Sequence, residues 1–428
     1  MIDTTKLKLG ARGRRSPALT IGIWVLTAAT LVLLPQIFSS GLAISTMCLM
    51  GTMIIFALSY NMLLGQTGLL SFGHAVFFGL GGFLTVHMLN AFAGGGLPFG
   101  LVVYPVFGAI TGLIFGIVFG AVATKRAGTA FAMITLGIGE LVASSALILR
   151  YFFGGEEGIT VDRTDLVHIF GWSFGPQIQI YYLIAVWCLI SMGCMYALTR
   201  TPFGRICNAV RDNPHRVQFI GYNTGTVRFI AFSLAGLFAG IAGALAAINF
   251  EIVNSAQMSS HESGAVILMT YIGGVGNFAG PILGAILITY LQLSLSDITE
   301  VWELYFGLMF IAMVMFAPRG LAGILAAQVP LIRNGSLLKV LPYYLAALVP
   351  GLIALTGFSM VIEMTHQLSV ATSEGTSMSF LYVPFEANSI LAWALALCLF
   401  GGGTWVFLRT AKMAGEAYGA AVTIGRGQ

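Results

Sequence analysis

The sequence is poor in charge. Aspartate, glutamate, lysine and arginine make up 8% of 428 residues, against 57% hydrophobic ones. Soluble domains carry about 25% charged residues, so an ordinary soluble globular protein is excluded. Cysteine is scarce too. Cys48, Cys188, Cys194, Cys207 and Cys398 are scattered, mostly inside apolar runs, and no two form a CxxC pair. That removes a paired-cysteine zinc site and a disulfide framework. No glycine precedes a lysine, so no phosphate-binding loop of the GxxxxGK[ST] type exists. There is no HExxH, and the six histidines are not at ligand spacing. No residue set remains for chemistry on a substrate or on ATP, or for a bound metal. Any ATP-driven role requires a separate subunit.

Long apolar runs are what the chain does have. They fall near 18–38, 41–64, 69–92, 99–123, 128–150, 178–199, 229–249, 262–275, 277–296, 301–317, 338–358 and 389–409. Runs of roughly 18 or more apolar residues read as transmembrane helices. We therefore expect an all-α polytopic membrane protein, with about ten core spans and about two more near the C-terminus. The eighth run is short and reads as a broken or re-entrant helix. The basic start, "MIDTTKLKLGARGRRSP", precedes a run too long for a signal peptide and without a cleavage site after it. It reads as a cytoplasmic segment (1–17) before an uncleaved first helix.

Charge placement tests this layout. Cytoplasmic loops collect lysine and arginine. With the N-terminus inside and sides alternating, every one of the 20 basic residues falls inside except Arg150 and Arg163. Both termini are then cytoplasmic. The core occupies 18–325 with an inner loop at 200–228. An extension at 326–428 carries two spans and an outer loop near 359–388 holding Glu363, Glu374 and Glu386.

Small residues mark helix contacts. Gly108, Gly112, Gly116 and Gly120 line one helical stripe, and Gly236/Gly240 and Gly280/Gly284 repeat the spacing. Such stripes let membrane helices approach closely, and static packing is the simplest role for them. "GGVGNFAG", Gly273 to Gly280, reads as a tight inner turn in which Asn277 caps.

The inner loop "RICNAVRDNPHRVQFIGYNTG", Arg205 to Gly225, is polar where the chain is otherwise apolar. Pro214 suits a first helical position with Asn213 as its cap, and Gly221 suits the residue past the end. Before it, Phe203, Ile206 and Val210 share one face, while Arg205, Asn208, Arg211 and Asp212 lie mostly on others. Two short amphipathic helices at the cytoplasmic surface are expected. Their polarity is compatible with simple topological bias, or with an ordered surface that fits a cytoplasmic partner.

Ionisable and polar groups in spans are functional candidates by default. Glu140 is the one acid within a span, able to pair with Thr135 or Ser144 at a helix interface or to line a path. Gln66, Thr67, Ser71 and His74 fall where the second and third spans meet. A broken helix there would turn backbone groups toward a cavity. His74 reads as a hydrogen-bonding residue between helices rather than a metal ligand. Tyr271, Asn249 and Asn254 are further candidates.

Four blocks, in order, resemble one known family. They are "NMLLGQTGLLSFGHAVFFGLGGF" (Asn61–Phe83), "FGRICNAVRDNPHRVQFIGYNTGTVRFIAFSLAGLFAGIAGAL" (Phe203–Leu245), "GGVGNFAGPILGA" (Gly273–Ala285) and "FAPRGLAG" (Phe316–Gly323). "GGEEGIT" (Gly154–Thr160) resembles the family's outer loop. Together they resemble LivM-type permeases of branched-chain amino acid ABC importers, a family that includes urea and amide permeases. The resemblance implies a transport subunit of the bacterial inner membrane without catalytic residues or cofactor of its own. It implies a LivH-like second permease, two LivG/LivF-like cytoplasmic ATPases carrying ATP and magnesium, and a periplasmic binding protein. It also implies an ATPase-coupling role for Arg205, Asn208, Arg211, Asp212, Asn213, Pro214, Arg216 and Gly221. An ion-gradient-driven transporter or channel is the alternative. Two features depart from the family. Glu140 is followed three residues later by Ala143, where arginine is usual, and the chain continues for about 100 residues past "PRGLAG".

Overall fold

A computed structural model describes residues 17–92, 100–165, 173–370, 377–380 and 383–424. Most of the basic N-terminus (Lys6, Lys8, Arg12, Arg14, Arg15), together with Glu374 and Arg426, lies outside the described residues. The chain divides into two compact units, 1–293 and 294–428.

The first unit contains α1 (Pro17–Ile37), α2 (Gly41–Thr67), α3 (Ala75–Ala91), α4 (Pro105–Ala123), α5 (Thr129–Ile148) and the single turn α6 (Arg150–Phe153). There follow α7 (Gln177–Arg200), α8 (Pro202–Asp212), α9 (Pro214–Phe219), α10 (Thr224–Phe250), α11 (Ser260–Gly273) and most of α12 (Ala279–Ser296). Strands β1 (Ile159–Thr160) and β2 (Ile252–Val253) pair antiparallel, with Ile159 opposite Val253. Among the described residues nine helices are long and apolar enough to cross a membrane. α3, with 17 residues, and α11, with 14, are shorter than the roughly 20 that a bilayer requires. Both are helical where spans were expected, but shorter than a full crossing.

Helix starts follow the capping rules. The Ser40 hydroxyl accepts from the Ala43 N–H at the head of α2, and Asn223 accepts from Gly225 and Thr226 at the head of α10. α10 is the centre of the unit and packs against α2, α3 and α4. Its contact with α4 is a glycine seam. A Cβ on Gly112 would sit 2.0 Å from the Gly236 carbonyl oxygen, and one on Gly240 would sit 2.1 Å from that of Gly108. The expected stripe on α4 therefore mates with the expected stripe on α10. Gly284 of α12 is equally close to the Met269 carbonyl of α11.

The second unit holds α13 (Trp302–Phe316), α14 (Gly320–Arg333), α15 (Leu337–Val370), a hairpin of β3 (Ser377–Phe380) and β4 (Val383–Glu386), and α16 (Ile390–Ile424). α13 and α14 bend by 44° and together would make a tenth crossing. α15 and α16 pair along their lengths, with Gly403 against the Ala354 backbone and Gly357 against that of Phe400. The expected outer loop from 359 is corrected here, because α15 continues to Val370. Glu363 is on that helix, where it accepts hydrogen bonds from the hydroxyls of Thr299 (2.6 Å) and Tyr305 (3.0 Å).

The glycine seam makes a definite prediction. Gly112→Val forces atoms into the α10 backbone and should cost at least about 1–3 kcal/mol. Gly137→Ala, a position with open space around its Cβ, should be neutral. Melting of the detergent-solubilised protein, followed by size-exclusion chromatography, reads both.

Candidate functional site

Three segments that are distant in sequence meet at one end of the first unit. The first is the C-terminus of α2. Gly68, at φ +71°, ends the helix. Its N–H donates to the Leu64 carbonyl, and the Leu69 N–H donates to that of Leu63. The Gly65 carbonyl takes its bond from outside the helix. The second segment is the turn before α12, where Gly276 has φ +79°. Asn61 of α2 holds this turn through both ends of its amide. Its Oδ1 accepts from the Gly276 N–H (3.0 Å) and its Nδ2 donates to the Asn277 carbonyl (3.4 Å). Asn277 also caps, as expected, its side chain accepting from the Ala279 N–H (3.4 Å).

The third segment is the polar loop, and it folds as its sequence predicts. Thr201 caps α8, accepting from Gly204, with Pro202 at the first position. Asn213 caps α9, accepting from the Arg216 N–H at 3.1 Å, with Pro214 at the first position. Gly221 follows at φ +90°. The apolar faces of both helices turn inward, so that Cys207, Val210 and Val217 pack on Val227 and Ala231 of α10, flanked by Phe203 and Ile206. Arg205, His215 and Arg216 are exposed, and Asn208 bonds back to the Gly204 carbonyl. Arg211 is exposed as well, but it alone of these arginines bonds to a distant segment. Its guanidinium reaches inward to the Gly65 carbonyl while donating to Asp212 Oδ1 at 3.0 and 3.1 Å. The tip of the loop carries Phe219, 89% exposed, with Ile220 and Tyr222 also exposed. Sequence polarity alone did not single these three out.

The break between α2 and α3 is packed and hydrogen-bonded. The Tyr60 hydroxyl donates to the Ser71 carbonyl (3.0 Å) and accepts from its N–H (3.2 Å). Thr135 of α5 accepts from the Phe72 N–H, and Ser263 of α11 from the Ala75 N–H. His74 is fully buried among Phe56, Tyr60 and Phe77, with Nε2 3.0 Å from the Ser59 hydroxyl. It bridges α2 and the head of α3, as expected. Gln66 and Tyr271 are half-buried. Glu140 is exposed on α5, in line with Met133, Gly137 and Ser144. Its expected pairing with Thr135 or Ser144 is not found, because the Thr135 hydroxyl is occupied by Phe72 and the Ala132 carbonyl. Among the described residues no group of three or more His, Cys, Asp or Glu side chains could hold a metal.

A family model described as branched-chain amino acid transport system / permease component matches residues 42–318. The chain belongs to that permease family. It is 27% identical to the high-affinity branched-chain amino acid transport system permease protein LivM of Escherichia coli (strain K12), over 66% of this chain and 70% of that one. It is 29% identical to the autoinducer 2 import system permease protein LsrC of Yersinia enterocolitica, over 37% of this chain and 43% of that one. It is 24% identical to the fructose import permease protein FrcC of Rhizobium meliloti, over 38% and 47%. No solved structure matches the chain. The permease family match runs from α2 to just past α13, so all three converging segments belong to it and α15 and α16 lie beyond it.

At the opposite end of α10 the permease has a second knot that the sequence reading missed. Arg163, read there only as a basic residue left outside, is buried. It donates to the carbonyls of Ile248 and Asn249 at the end of α10, to those of Phe174 and Gly175, and to Gln177. It also pairs with Glu251 at 3.2 Å. A cation on the last carbonyls of a helix opposes its dipole. Gln177 also donates to Asn249 at 2.7 Å. Next to the knot, the Thr164 hydroxyl and N–H hold the Asp162 carboxyl below the ordinary carboxylate range.

Arg163→Ala strands five hydrogen-bond acceptors and the Glu251 carboxylate and should cost about 2 kcal/mol or more. Arg163→Lys, a single ammonium in place of a planar fork, should recover only part. Thermal melting in detergent measures both. Asn213→Ala should loosen α9 by about 1 kcal/mol, seen as faster proteolysis of the loop with unchanged overall melting.

Proposed function

We propose that this permease is one of two membrane subunits of an ATP-driven importer for branched-chain amino acids or related small polar solutes, such as urea, amides or aromatic acids. A LivH-like permease completes the pathway. Two LivG/LivF-like ATPases, carrying ATP and magnesium, sit beneath the pair, and a periplasmic binding protein delivers solute. The membrane is the bacterial inner membrane, with both termini cytoplasmic.

The observation that carries the reading is the ordered loop α8–α9. It is pinned to α10 by an apolar face and ends in the exposed tip Phe219, Ile220 and Tyr222, and Arg205 on α8 and Arg216 on α9 are exposed as well. An exposed aromatic anchor fits a protein groove. In a chain without a phosphate-binding loop, the groove belongs to the ATPase. Glu140 supports the second-permease assignment. A carboxylate near mid-span is costly against lipid, so the α5 face of Gly137, Glu140 and Ser144 is assigned to the solute path between the two permeases. Gln66 and Tyr271 line its inner part, and Ser71 and His74 hold the break that shapes it.

Phe219→Asp and Ile220→Asp should each lower co-purification of the ATPase subunits about ten-fold or more without loss of the permease itself. In cells, uptake should survive a proton uncoupler. In proteoliposomes with ATP sealed in the lumen on the ATPase side and the binding protein outside, it should fail when vanadate is sealed in with the ATP. Uptake that collapses with the uncoupler and resists vanadate would establish an ion-gradient transporter instead.

A further inference from the structure

Arg211 lies in the coupling loop but is turned away from the exposed tip. Its Nη1 donates to the Gly65 carbonyl, and its Nε and Nη2 hold Asp212 Oδ1. Two glycines make room for it. A Cβ on Gly68 would lie 3.0 Å from the Arg211 Cγ, and one on Gly276 would lie 3.2 Å from Nη1. The guanidinium thus fills the corner between the end of α2 and the turn that starts α12. Asn61 already fastens that turn to α2, so Arg211 grips one preassembled body.

We infer that Arg211 is the positioning residue that carries movement of the coupling helices to the α2–α3 break and to the head of α12, rather than a contact with the ATPase. This rests on the docking role proposed above. The chemistry suits the task. Asp212 steers the planar guanidinium from one edge while the other reaches a helix-terminal carbonyl, so a shift of α8 pulls on backbone rather than on a flexible side chain. The cation also sits at the C-terminus of a 27-residue helix that has no basic residue in its own last turn. Residues 68–74 follow immediately. The end that is pulled is therefore the near lip of the break held by Tyr60 and His74.

The test uses the complete importer with Gln66→Cys as reporter, in a background with the exposed Cys194 and Cys398 changed to serine. Maleimide labelling is compared between the nucleotide-free and the ATP–vanadate-trapped states. With Arg211 present the two rates should differ by at least about five-fold, and with Arg211→Ala by less than about two-fold, while the ATPases stay bound and hydrolyse ATP. Arg211→Lys and Asp212→Asn should give intermediate ratios, and they carry the test if Arg211→Ala does not accumulate. An unchanged ratio in all three variants overturns the inference. So does loss of the ATPases from the Arg211 variants, which would make Arg211 a docking contact. Equal labelling rates with Arg211 present would show that the break does not move. Failure of the ATPases to bind the otherwise unaltered chain defeats the docking role itself, and that result is visible before any Arg211 variant is made.

Discussion

Hydrocarbon offers no hydrogen bonds, and that constraint accounts for three irregular stretches of this permease. Where α2 stops before α3, the freed backbone groups are met by Tyr60, Thr135 and Ser263. Where α11 gives way to α12, Asn61 meets them. Where α10 ends, Arg163 takes its carbonyls. These three interruptions are thus bound by side chains from segments distant in sequence. The breaks join the bundle together rather than weakening it.

Close packing supplies the other half. With lipid as apolar as leucine, helices associate through contact rather than through expulsion of water. The α4–α10 seam brings backbone against backbone, because its glycines carry nothing between them. α10, 27 residues and about 40 Å long, then has α8 and α9 packed at its start and the Arg163 knot at its end. The two polar features of the first unit lie at opposite ends of one buried helix.

Much of this was legible in the sequence, wherever the determinants are local. The spans, the α4 and α10 glycine stripes, and the α8–α9 pair with its Asn213, Pro214 and Gly221 punctuation follow from periodicity and capping within a few residues of each other. Long-range pairings were not legible. The Ser263 hydroxyl meets a backbone 188 residues away, and Arg211 one 146 residues away. Nothing in their own neighbourhoods distinguishes them from a surface serine or an inner-loop arginine. Glu140 shows the converse, since only one of its two readings was local. Local sequence offered it hydroxyl partners on its own helix, but Thr135 is committed to the loop at Phe72. For Arg163 the sole signal was its position on the wrong side of the charge map, a basic residue where topology disfavours one.

The helical pair α15 and α16 has a physical consequence for the membrane around it. With 34 and 35 residues, each is about 50 Å long, against a hydrocarbon layer of about 30 Å. α16 meets its first charge at Arg409, whose guanidinium lies 3.7 Å over the ring of Trp405. α15 stays uncharged from Val340 to Ile362. Two neighbours with apolar stretches of unequal length cannot both match one flat bilayer while standing upright. The mismatch is relieved by tilt, by local thickening, or by cationic side chains reaching back to the headgroups. The extension therefore imposes its own thickness preference on the surrounding lipid.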